Sequence, residues 1–437
     1  MKANIYVKTF GCSLNRSDSE RIKGILKADS FNIVNDVTES DIVIINSCTV
    51  KNVAEQKLYR EIRNSEKLGK KIIVAGCVPQ AEKKLAQTTL KKYSIIGPNN
   101  INDIVKVVNA TLENKRIVLL DDKHPINKIN NSTLPENKLI AIIPISEGCI
   151  GNCSYCKTKQ ARGNINSYTP EKIIKKIEES LKSGAKEIWL TAQDTSCYGI
   201  DIETSLPQLL EKIIKIKYDF KIRVGMGNPN SFLKEIDNYL EIFENDKENK
   251  LYKFFHIPVQ SGSNKILKDM NRFYDVEDFK KLIKIIKTRL PDACIATDII
   301  VGYPKESDKD FKESLDLITW LKADILNVSR FWIRPQTEVE SKGYKHLPTL
   351  LIKERTKEMT DLFKEISKQE NDKWKTWQGQ VLISEKGKNN SLVGKNDSYK
   401  QVVFHCEEVL KNKLKLGDKV IAKTQSLDRY HINGEVC

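Results

Sequence analysis

The run Glu147-Gly-Cys-Ile-Gly-Asn-Cys-Ser-Tyr-Cys-Lys157 places Cys149, Cys153 and Cys156 in one short loop, and no His or fourth Cys follows nearby. Thiolates are soft ligands that suit zinc or iron-sulfur clusters. A structural zinc site is closed by four protein ligands, whereas this loop supplies three. We therefore favour a 4Fe-4S cubane with one iron open to a further ligand, and zinc is the alternative.

The chain around this loop alternates short apolar runs with amphipathic helical patterns, which is typical of a parallel β/α barrel. The predicted strands cover residues 140–146, 187–191, 221–225, 254–260, 295–301 and 326–331. Six such units predict an open, partial (β/α)6 barrel. The cysteine loop follows the first strand, and active sites of parallel barrels lie at the carboxyl ends of the strands. We therefore expect the metal site at that face.

The first 112 residues show the same alternation and predict an open parallel α/β domain. Apolar runs predict strands at 5–7, 41–45 and 71–74, and amphipathic patterns predict helices at 17–26, 50–68 and 80–90. Each of these strands is followed by a cysteine, namely Cys12, Cys48 and Cys77. The carboxyl ends of parallel strands share one sheet edge, so distant residues converge there. A second three-cysteine site is predicted; three separate buried thiols are the alternative.

Changes of composition predict the domain division. Between 113 and 138 the periodicity fades into turn-forming and charged residues, which is typical of a linker, and His124 there is predicted to be a solvated loop residue. We therefore predict domains over 1–112, 139–370 and 371–437. After a helical pattern over 350–374, the last domain has short apolar runs between Gly and Asn turns. That pattern predicts a small antiparallel β-barrel.

The predicted C-terminal barrel has features of an RNA-binding surface. From residue 372 onwards there are twelve Lys and Arg against eight Asp and Glu, with Tyr399, Phe404 and Tyr430 among them. Small barrels of this kind bind single-stranded RNA by backbone attraction and base stacking. The alternative is a lid or spacer whose aromatic side chains fill its own core.

The composition is that of a folded protein, with 437 residues, 40% of them hydrophobic and 30% charged. A net charge of +15 favours a polyanionic partner, nucleic acid before membrane, with a general lysine bias as the alternative. There is no signal-peptide pattern and no apolar stretch of about 18 residues, so we expect a cytoplasmic protein without membrane contact. In that compartment the ten cysteines are not expected to form disulfides.

Sequence runs along the whole chain resemble the radical SAM methylthiotransferases, where SAM is S-adenosylmethionine. Besides the three-cysteine loop, the matching stretches are Thr9-Phe-Gly-Cys-Ser-Leu-Asn15, Asn46-Ser-Cys-Thr-Val50, Ala75-Gly-Cys-Val-Pro79, Ile257-Pro-Val-Gln-Ser-Gly-Ser263 and Asp298-Ile-Ile-Val-Gly-Tyr-Pro304. The resemblance implies a radical SAM barrel, two 4Fe-4S clusters, SAM and a C-terminal RNA-binding TRAM barrel.

The resemblance also implies roles for individual residues. The cluster on Cys149, Cys153 and Cys156 would cleave SAM to a 5'-deoxyadenosyl radical, and the auxiliary cluster would be held by the other three cysteines, Cys12, Cys48 and Cys77. Polar residues near the carboxyl ends of the barrel strands are candidate SAM contacts: Tyr155, Gln193, Asp194, Arg223, Asn228, Gln260 and Asp298. Expected partners are the tRNA anticodon loop and an electron donor of the flavodoxin or ferredoxin type, and we expect a monomer.

Two runs, 153–163 and 190–194, are similar to the archaeal and eukaryotic branch of this family. That branch adds a methylthio group to C2 of N6-threonylcarbamoyladenosine at position 37 of tRNA. Two alternatives stay open. One is a sibling enzyme acting on isopentenyladenosine or on a ribosomal-protein aspartate, and the other is a non-catalytic iron-sulfur RNA-binding redox sensor. His256 is expected to be a hydrogen-bonded core residue and receives no role.

Overall fold

The computed structural model describes residues 2–49, 52–121 and 128–437, and His124 lies outside them. The first sheet has the strand order β2-β1-β3-β4-β5-β6, with every pairing parallel. Its strands are Asn4–Thr9 (β1), Asn32–Ile33 (β2), Ile42–Ser47 (β3), Lys71–Gly76 (β4), Ser94–Ile96 (β5) and Val118–Leu119 (β6). The accompanying helices are Ser13–Ala28 (α1), Asn52–Lys67 (α2), Cys77–Ala81 (α3) and Ile104–Leu112 (α4).

Helices cover both faces of this sheet, as the sequence alternation predicts. Ile42 and Ile44 of β3 belong to the core beneath α1 and α4, whereas Val43 and Ile45 belong to the core beneath α2. Strand residues point alternately to the two faces, so an uninterrupted apolar strand is buried on both sides.

The helix predicted over 80–90 is wrong as a single element. The chain forms α3 and then a 3₁₀ helix over Lys83–Gln87, because Glu82 between them has φ −130° and ψ 68° and interrupts the α-helical hydrogen bonding. The short α3 begins at Cys77 itself, after Gly76 at φ 92°. A Cβ on Gly76 would lie 2.6 Å from the carbonyl oxygen of Ser47, so only glycine fits this turn.

The segment predicted as a linker contributes to the first sheet. Val118 and Leu119 pair with Ile95 and Ile96 of β5, so the sheet extends beyond residue 112. The predicted division into domains otherwise stays a prediction.

The middle of the chain forms the partial barrel. Its parallel strands are Ile140–Pro144 (β7), Glu187–Thr191 (β10), Lys221–Val224 (β11), Phe254–His256 (β12), Cys294–Val301 (β13) and Ile325–Arg330 (β14), and a short hairpin is made by Ser146–Glu147 (β8) and Asn166–Ser167 (β9). The helices are Thr158–Arg162 (α5), Pro170–Lys182 (α6), Leu206–Ile214 (α7), Pro229–Asn245 (α8), Asn264–Asp269 (α9), Val276–Arg289 (α10), Asp308–Leu321 (α11), Glu338–Ser341 (α12) and Thr349–Asn371 (α13). The strands run in the order β7-β10-β11 and β12-β13-β14, joined by a bridge between Ile222 and Leu251.

Alternation along the barrel strands decides which side chains face its interior. Ile188 and Leu190 of β10, with Ile222 of β11, pack in the core beneath the outer helices. The residues between them, Trp189 and Arg223, therefore point to the inside of the barrel. The interior thus carries an indole and a guanidinium instead of an apolar core.

The last residues form a closed barrel in the order β15-β16-β17-β19-β18, which confirms the predicted small barrel. Its elements are Gln378–Lys386 (β15), Leu392–Asn396 (β16), Gln401–Phe404 (β17), Cys406–Lys411 (α14), Lys419–Leu427 (β18) and Ile432–Val436 (β19). The pair β17 and β19 is parallel and the other pairings are antiparallel, since α14 and β18 intervene between those two strands. No helix formed by the described residues is long and apolar enough to span a bilayer.

Two of the three aromatic side chains that the sequence predicts to stack on RNA bases, Phe404 and Tyr399, pack against other parts of the protein instead. Phe404 is fully buried in the core of the C-terminal barrel. Tyr399 packs on the partial barrel, where its ring lies 4.8 Å from that of Tyr252 and 4.9 Å from that of Phe254. Tyr430 is half exposed and remains available to a partner.

Tyr399 belongs to a turn that closes the amino-terminal end of the partial barrel. In the same turn Asp397 pairs with Lys221 at 2.6 Å, and its carbonyl accepts from the Lys253 backbone N–H at 2.8 Å. Lys221 begins β11 and Lys253 precedes β12, so these contacts lie at the end opposite to the cysteine loop. The C-terminal barrel therefore supplies the floor of the barrel interior.

We expect Tyr399→Ala to loosen this floor. Removing a half-buried ring that packs on two aromatic rings should lower the local free energy of opening by about 2 kcal/mol. Hydrogen exchange at residues 252–256 and 396–400 measures the change. Tyr430→Ala is the matched control on the exposed surface and should change opening by no more than about 0.5 kcal/mol. Equal effects of the two substitutions would contradict the docking role.

Candidate active site

Cys12, Cys48 and Cys77 lie together around Asn15. The Asn15 Oδ1 atom is 3.6 Å from the sulfur of Cys12 and 3.7 Å from the sulfur of Cys77. The sulfur of Cys48 would lie only 2.9 Å from a Cβ on Gly11, the residue before Cys12. The sheet edge thus brings the three predicted ligands together, and Asn15 is a contact residue that has no signal of its own in the sequence.

Local backbone donors and an arginine surround the loop cysteines. The backbone N–H groups of Gly151 and Thr158 donate to the sulfurs of Cys149 and Cys156, at 3.2 Å and 3.4 Å. Arg272 lies 3.2 Å from the sulfur of Cys153 and donates to it through Nη1. The hydrogen bonds from Gly151 and Thr158 favour the thiolate forms of Cys149 and Cys156, and the thiolate is the form that binds metal.

Burial opposes ionisation of Cys149 and Cys156 when no metal is bound. Burial, helped by the charge of Asp194, raises the pKa of Cys149 to about 12, and burial also raises the pKa of Cys156. Metal coordination deprotonates thiols outright, so a half-buried three-thiol site suits a bound cluster. In the described part of the chain, no three His, Cys, Asp or Glu side chains meet at one point as ligands of a single ion do. A cubane binds each thiolate to a different iron and needs no such point.

The helix α5 connects the two cysteine trios. It begins at Thr158, two residues after Cys156, and ends at Arg162. The Nη2 atom of Arg162 is 3.2 Å from Asn15 Oδ1, the atom on which Cys12 and Cys77 converge. A helix of five residues is about 8 Å long. The two predicted cluster sites are therefore neighbours across one short helix.

Buried charges hold this helix in place. Arg162 pairs with Asp18 of α1 at 2.6 Å and with Glu147 of the cysteine loop at 3.1 Å, while Lys128 pairs with Glu147 at 2.6 Å. Burial alone would raise the pKa of Glu147, but Lys128, Arg162 and Arg21 outweigh it and lower that pKa to about 2. The carboxylate is thus ionised and paired, and it joins α1, the linker segment, the loop and α5.

Several candidate SAM contacts lie beside Cys149. Asp194 accepts hydrogen bonds from the backbone N–H of Asn228 at 3.0 Å and from the Ser196 hydroxyl at 2.6 Å. Its charge acts on Cys149, so the two are close. The Oε1 atom of Gln193 is buried and has no hydrogen-bond partner among the described residues. An orphaned buried acceptor next in sequence to Asp194 fits a polar ligand such as SAM.

The remaining candidates are spread over the barrel. Tyr155 lies near Cys153 and Arg272, and burial raises its pKa. Gln260 has φ 74°, and its backbone N–H donates to the Asp298 carbonyl. The structure therefore brings Gln260 and Asp298 together in the carboxyl-terminal half of β13. Arg223 lies deeper inside the barrel.

His256 is hydrogen-bonded, and it faces the barrel interior. Its Nε2 atom is 3.0 Å from Asp298 Oδ1, and the same carboxylate oxygen accepts from Asn327 at 2.8 Å. Alternation along β12 places Phe255 in the outer core and His256 inside. Asn327 was not singled out from the sequence, because a lone Asn in a predicted strand gives no signal.

The fold and the three-cysteine loop define a radical SAM protein. Residues 143–318 match the model of the radical SAM superfamily, and residues 4–97 match a family described as uncharacterized protein family UPF0004. The structure is similar to the radical SAM methyltransferase TsrM from Kitasatospora setae, with a TM-score of 0.56 and 12% identity over 77% of each chain. It is also similar to the cobalamin-dependent radical enzyme OxsB, with a TM-score of 0.54 and 13% identity over 92% of this chain and 64% of that one.

Curated relatives then identify the family. A Pyrococcus abyssi protein named "Probable threonylcarbamoyladenosine tRNA methylthiotransferase" is 39% identical over 92% of this chain and 93% of its own length. The threonylcarbamoyladenosine tRNA methylthiotransferase of Homo sapiens is 36% identical over 99% of this chain and 73% of its own length. The chain belongs to the threonylcarbamoyladenosine tRNA methylthiotransferase family, and an iron-sulfur cluster and SAM are its cofactors.

Arg162 offers a direct test of the link between the two trios. Arg162→Met would remove a buried counter-charge of Glu147 and Asp18. The substitution should lower the free energy of local opening of α1 and α5 by about 3 to 5 kcal/mol. We also expect a loss of bound iron after reconstitution, because the helix between the trios loses its anchor. Hydrogen exchange and iron analysis measure the two effects.

The matched control is Arg355→Met. Arg355 is equally buried and pairs with Glu306 at 2.8 Å, but no cysteine is among its hydrogen-bond or ion-pair partners in the described residues. The Arg355→Met variant should show a comparable decrease in the free energy of local opening at α13 and should keep its bound iron. If Arg162→Met also kept the full iron content, α5 would not couple the two sites.

Proposed function

We propose that this protein adds a methylthio group to C2 of N6-threonylcarbamoyladenosine at position 37 of tRNA, with SAM and two 4Fe-4S clusters as cofactors. The observation that carries the proposal is the juxtaposition of two three-cysteine sites across α5, each with three thiols and without a fourth described ligand. Membership of the methylthiotransferase family supports the substrate.

The proposed roles follow from the contacts of each residue. Cys149, Cys153 and Cys156 would hold the cluster that engages SAM, and the other trio would hold the auxiliary cluster. When bound, these cofactors supply the radical chemistry that an unactivated C–H bond requires. Arg272 would balance thiolate charge at Cys153, to whose sulfur it already donates.

Polar residues beside Cys149 would orient SAM. Asp194 and Gln193 offer carboxylate and amide oxygens, which accept hydrogen bonds from an amino group or ribose hydroxyls. Asn228 caps α8 and holds Asp194 through its backbone N–H, so it would act as a positioning residue. The floor at Tyr399 would keep water from entering through the amino-terminal end of the barrel.

The proposed RNA partner fits the charge of the chain. A net charge of +15 attracts the phosphate backbone, and Tyr430 is an exposed aromatic ring on the C-terminal barrel that a base could stack on. We further propose a monomer that takes electrons from a flavodoxin or ferredoxin type donor. Because tRNA is the proposed substrate and free thiols must stay reduced, the proposed compartment is the cytoplasm.

The two-cluster proposal predicts about eight irons per reconstituted chain, since each cubane has four. Replacing Cys12, Cys48 and Cys77 together by Ala should leave about four irons and abolish methylthiolation. Replacing Cys149, Cys153 and Cys156 together by Ala should also leave about four irons and abolish methylthiolation. Cys406→Ala, outside both trios, should keep about eight irons. If the first triple variant kept both its iron and its activity, the auxiliary site would be excluded.

The substrate is tested by mass spectrometry of tRNA nucleosides from cells with and without the gene. Cells lacking it should lose the 2-methylthio form of threonylcarbamoyladenosine and accumulate the unmodified precursor. Loss of methylthio groups from isopentenyladenosine or from a ribosomal-protein aspartate would instead indicate a sibling enzyme. If purified protein bound RNA but formed no 5'-deoxyadenosine from SAM and a reductant, the redox-sensor alternative would stand.

A further inference from the structure

Arg223 is a cation inside the barrel with no anionic partner among the described residues. Its guanidinium carbon lies 5.1 Å from the ring centroid of Trp189, 5.0 Å from that of Phe254 and 5.5 Å from that of Tyr399. Its Nε atom is buried without a hydrogen-bond partner, and the side chain forms no hydrogen bond or ion pair with any residue that the structure describes. The aromatic faces are its contacts there.

Such a cation favours an anionic ligand. Arginine stays charged at physiological pH, and a half-buried charge that lacks a counter-charge is costly. Contacts with aromatic faces compensate only part of that cost, because each contributes about 0.5 to 2 kcal/mol. A carboxylate that reached Arg223 would supply the missing partner through a charge-assisted, bidentate pair.

A second arginine approaches the same indole from the N-terminal domain. The guanidinium carbon of Arg16 lies 5.4 Å from the Trp189 ring centroid, and Arg16 is on α1, four residues after Cys12. Two like charges at one ring repel each other unless an anion lies between or beside them. Glu20 and Glu136 balance part of the Arg16 charge, so the inference depends mainly on Arg223.

Arg223 lies part of the way down the barrel, between the cysteine edge and the floor. Trp189, its register partner, lies two residues below Thr191, the last residue of β10, which is about 7 Å along a strand. Thr191 itself contacts Ser13, next to Cys12, at 2.6 Å. Arg223 is therefore below the level of the cysteine edge and above the floor at Tyr399.

We propose that Arg223, assisted by Arg16 and Trp189, binds the carboxylate of the threonylcarbamoyl group on the substrate base. This inference rests on the proposed function. In adenine, C2 and the carbon that bears N6 flank N1, so their outward bonds diverge, and a base with C2 toward the cysteines leaves its N6 substituent free to extend toward the barrel interior. The same pair would disfavour a neutral isopentenyl group, which would leave both cations unpaired. Arg223 is then a specificity residue and not the SAM contact that the sequence predicts.

Binding experiments on the reconstituted full-length protein, without reductant, test this assignment. The probes are three anticodon stem-loops that differ at position 37: threonylcarbamoyladenosine, its carboxyl methyl ester, and unmodified adenosine. Wild-type protein should bind the free acid about tenfold or more tightly than the ester, as expected for a charge-assisted pair. Arg223→Gln should abolish this preference and keep its affinity for the unmodified stem-loop, and Arg16→Gln should reduce the preference.

Control variants separate a lost contact from a lost fold. Arg289→Gln removes an arginine on the outer helix α10, where it pairs with Glu244, and should keep the preference. Arg223→Lys keeps the charge without the bidentate geometry and should give an intermediate preference. If Arg223→Gln does not fold, as judged by circular dichroism and iron content, Arg223→Lys and Arg16→Gln decide the question.

Three results would overturn the assignment. In the first, Arg223→Gln keeps the wild-type preference for the acid over the ester. In the second, it loses affinity for SAM while the preference persists, which would assign Arg223 to the SAM carboxylate. In the third, it weakens all three stem-loops equally, as loss of a phosphate contact would. Failure of the proposed function looks different, because wild-type protein itself would then not distinguish threonylcarbamoyladenosine from adenosine.

Discussion

The fold around the site depends on one buried carboxylate and the cations that neutralise it. Glu147 meets Lys128 at 2.6 Å and Arg162 at 3.1 Å, and Arg162 in turn meets Asp18 at 2.6 Å. Each of these charges would be costly in the interior without its partner. Each structural element that carries one of them is therefore stable only when the elements that carry the partner charges are correctly placed. Because they come from α1, the linker segment, the cysteine loop and α5, the network fixes the N-terminal sheet against the barrel.

This arrangement explains how two cysteine trios from different parts of the chain share one space. Hydrophobic packing is non-directional and tolerates small shifts between domains, whereas an arginine that bridges two carboxylates fixes distance and angle. Arg162 is such a residue, and its contact with Asn15 places it beside Cys77. Burial raises the pKa of Cys77 and the Arg162 charge opposes that effect, so the same side chain that sets the geometry also favours the thiolate that a cluster needs.

The convergence of Cys12, Cys48 and Cys77 is predictable because it follows from local signals: strands of period two, glycine turns and the shared edge of a parallel sheet. Arg162 and Tyr399 are different. Each lies in a segment whose sequence is equally compatible with a solvated surface, and their roles depend on partners more than a hundred residues away. The break at Glu82 was missed because the helical pattern continues through it, so the backbone angles that end α3 leave no mark in the periodicity.

Inside the barrel, side-chain chemistry changes with depth. Aromatic rings close the floor, arginine and indole lie above it, the Asp298 and His256 pair follows, and thiols occupy the carboxyl edge. Such a gradient orients a ligand that has one anionic end and one C–H to be replaced, because only one direction pairs the anion and presents the C–H to the thiol edge. Orientation of this kind lowers the entropic cost of reaching the reactive geometry, and it contributes to rate as well as to affinity. The floor belongs to the C-terminal barrel, so movement of that barrel would also change the depth of the pocket.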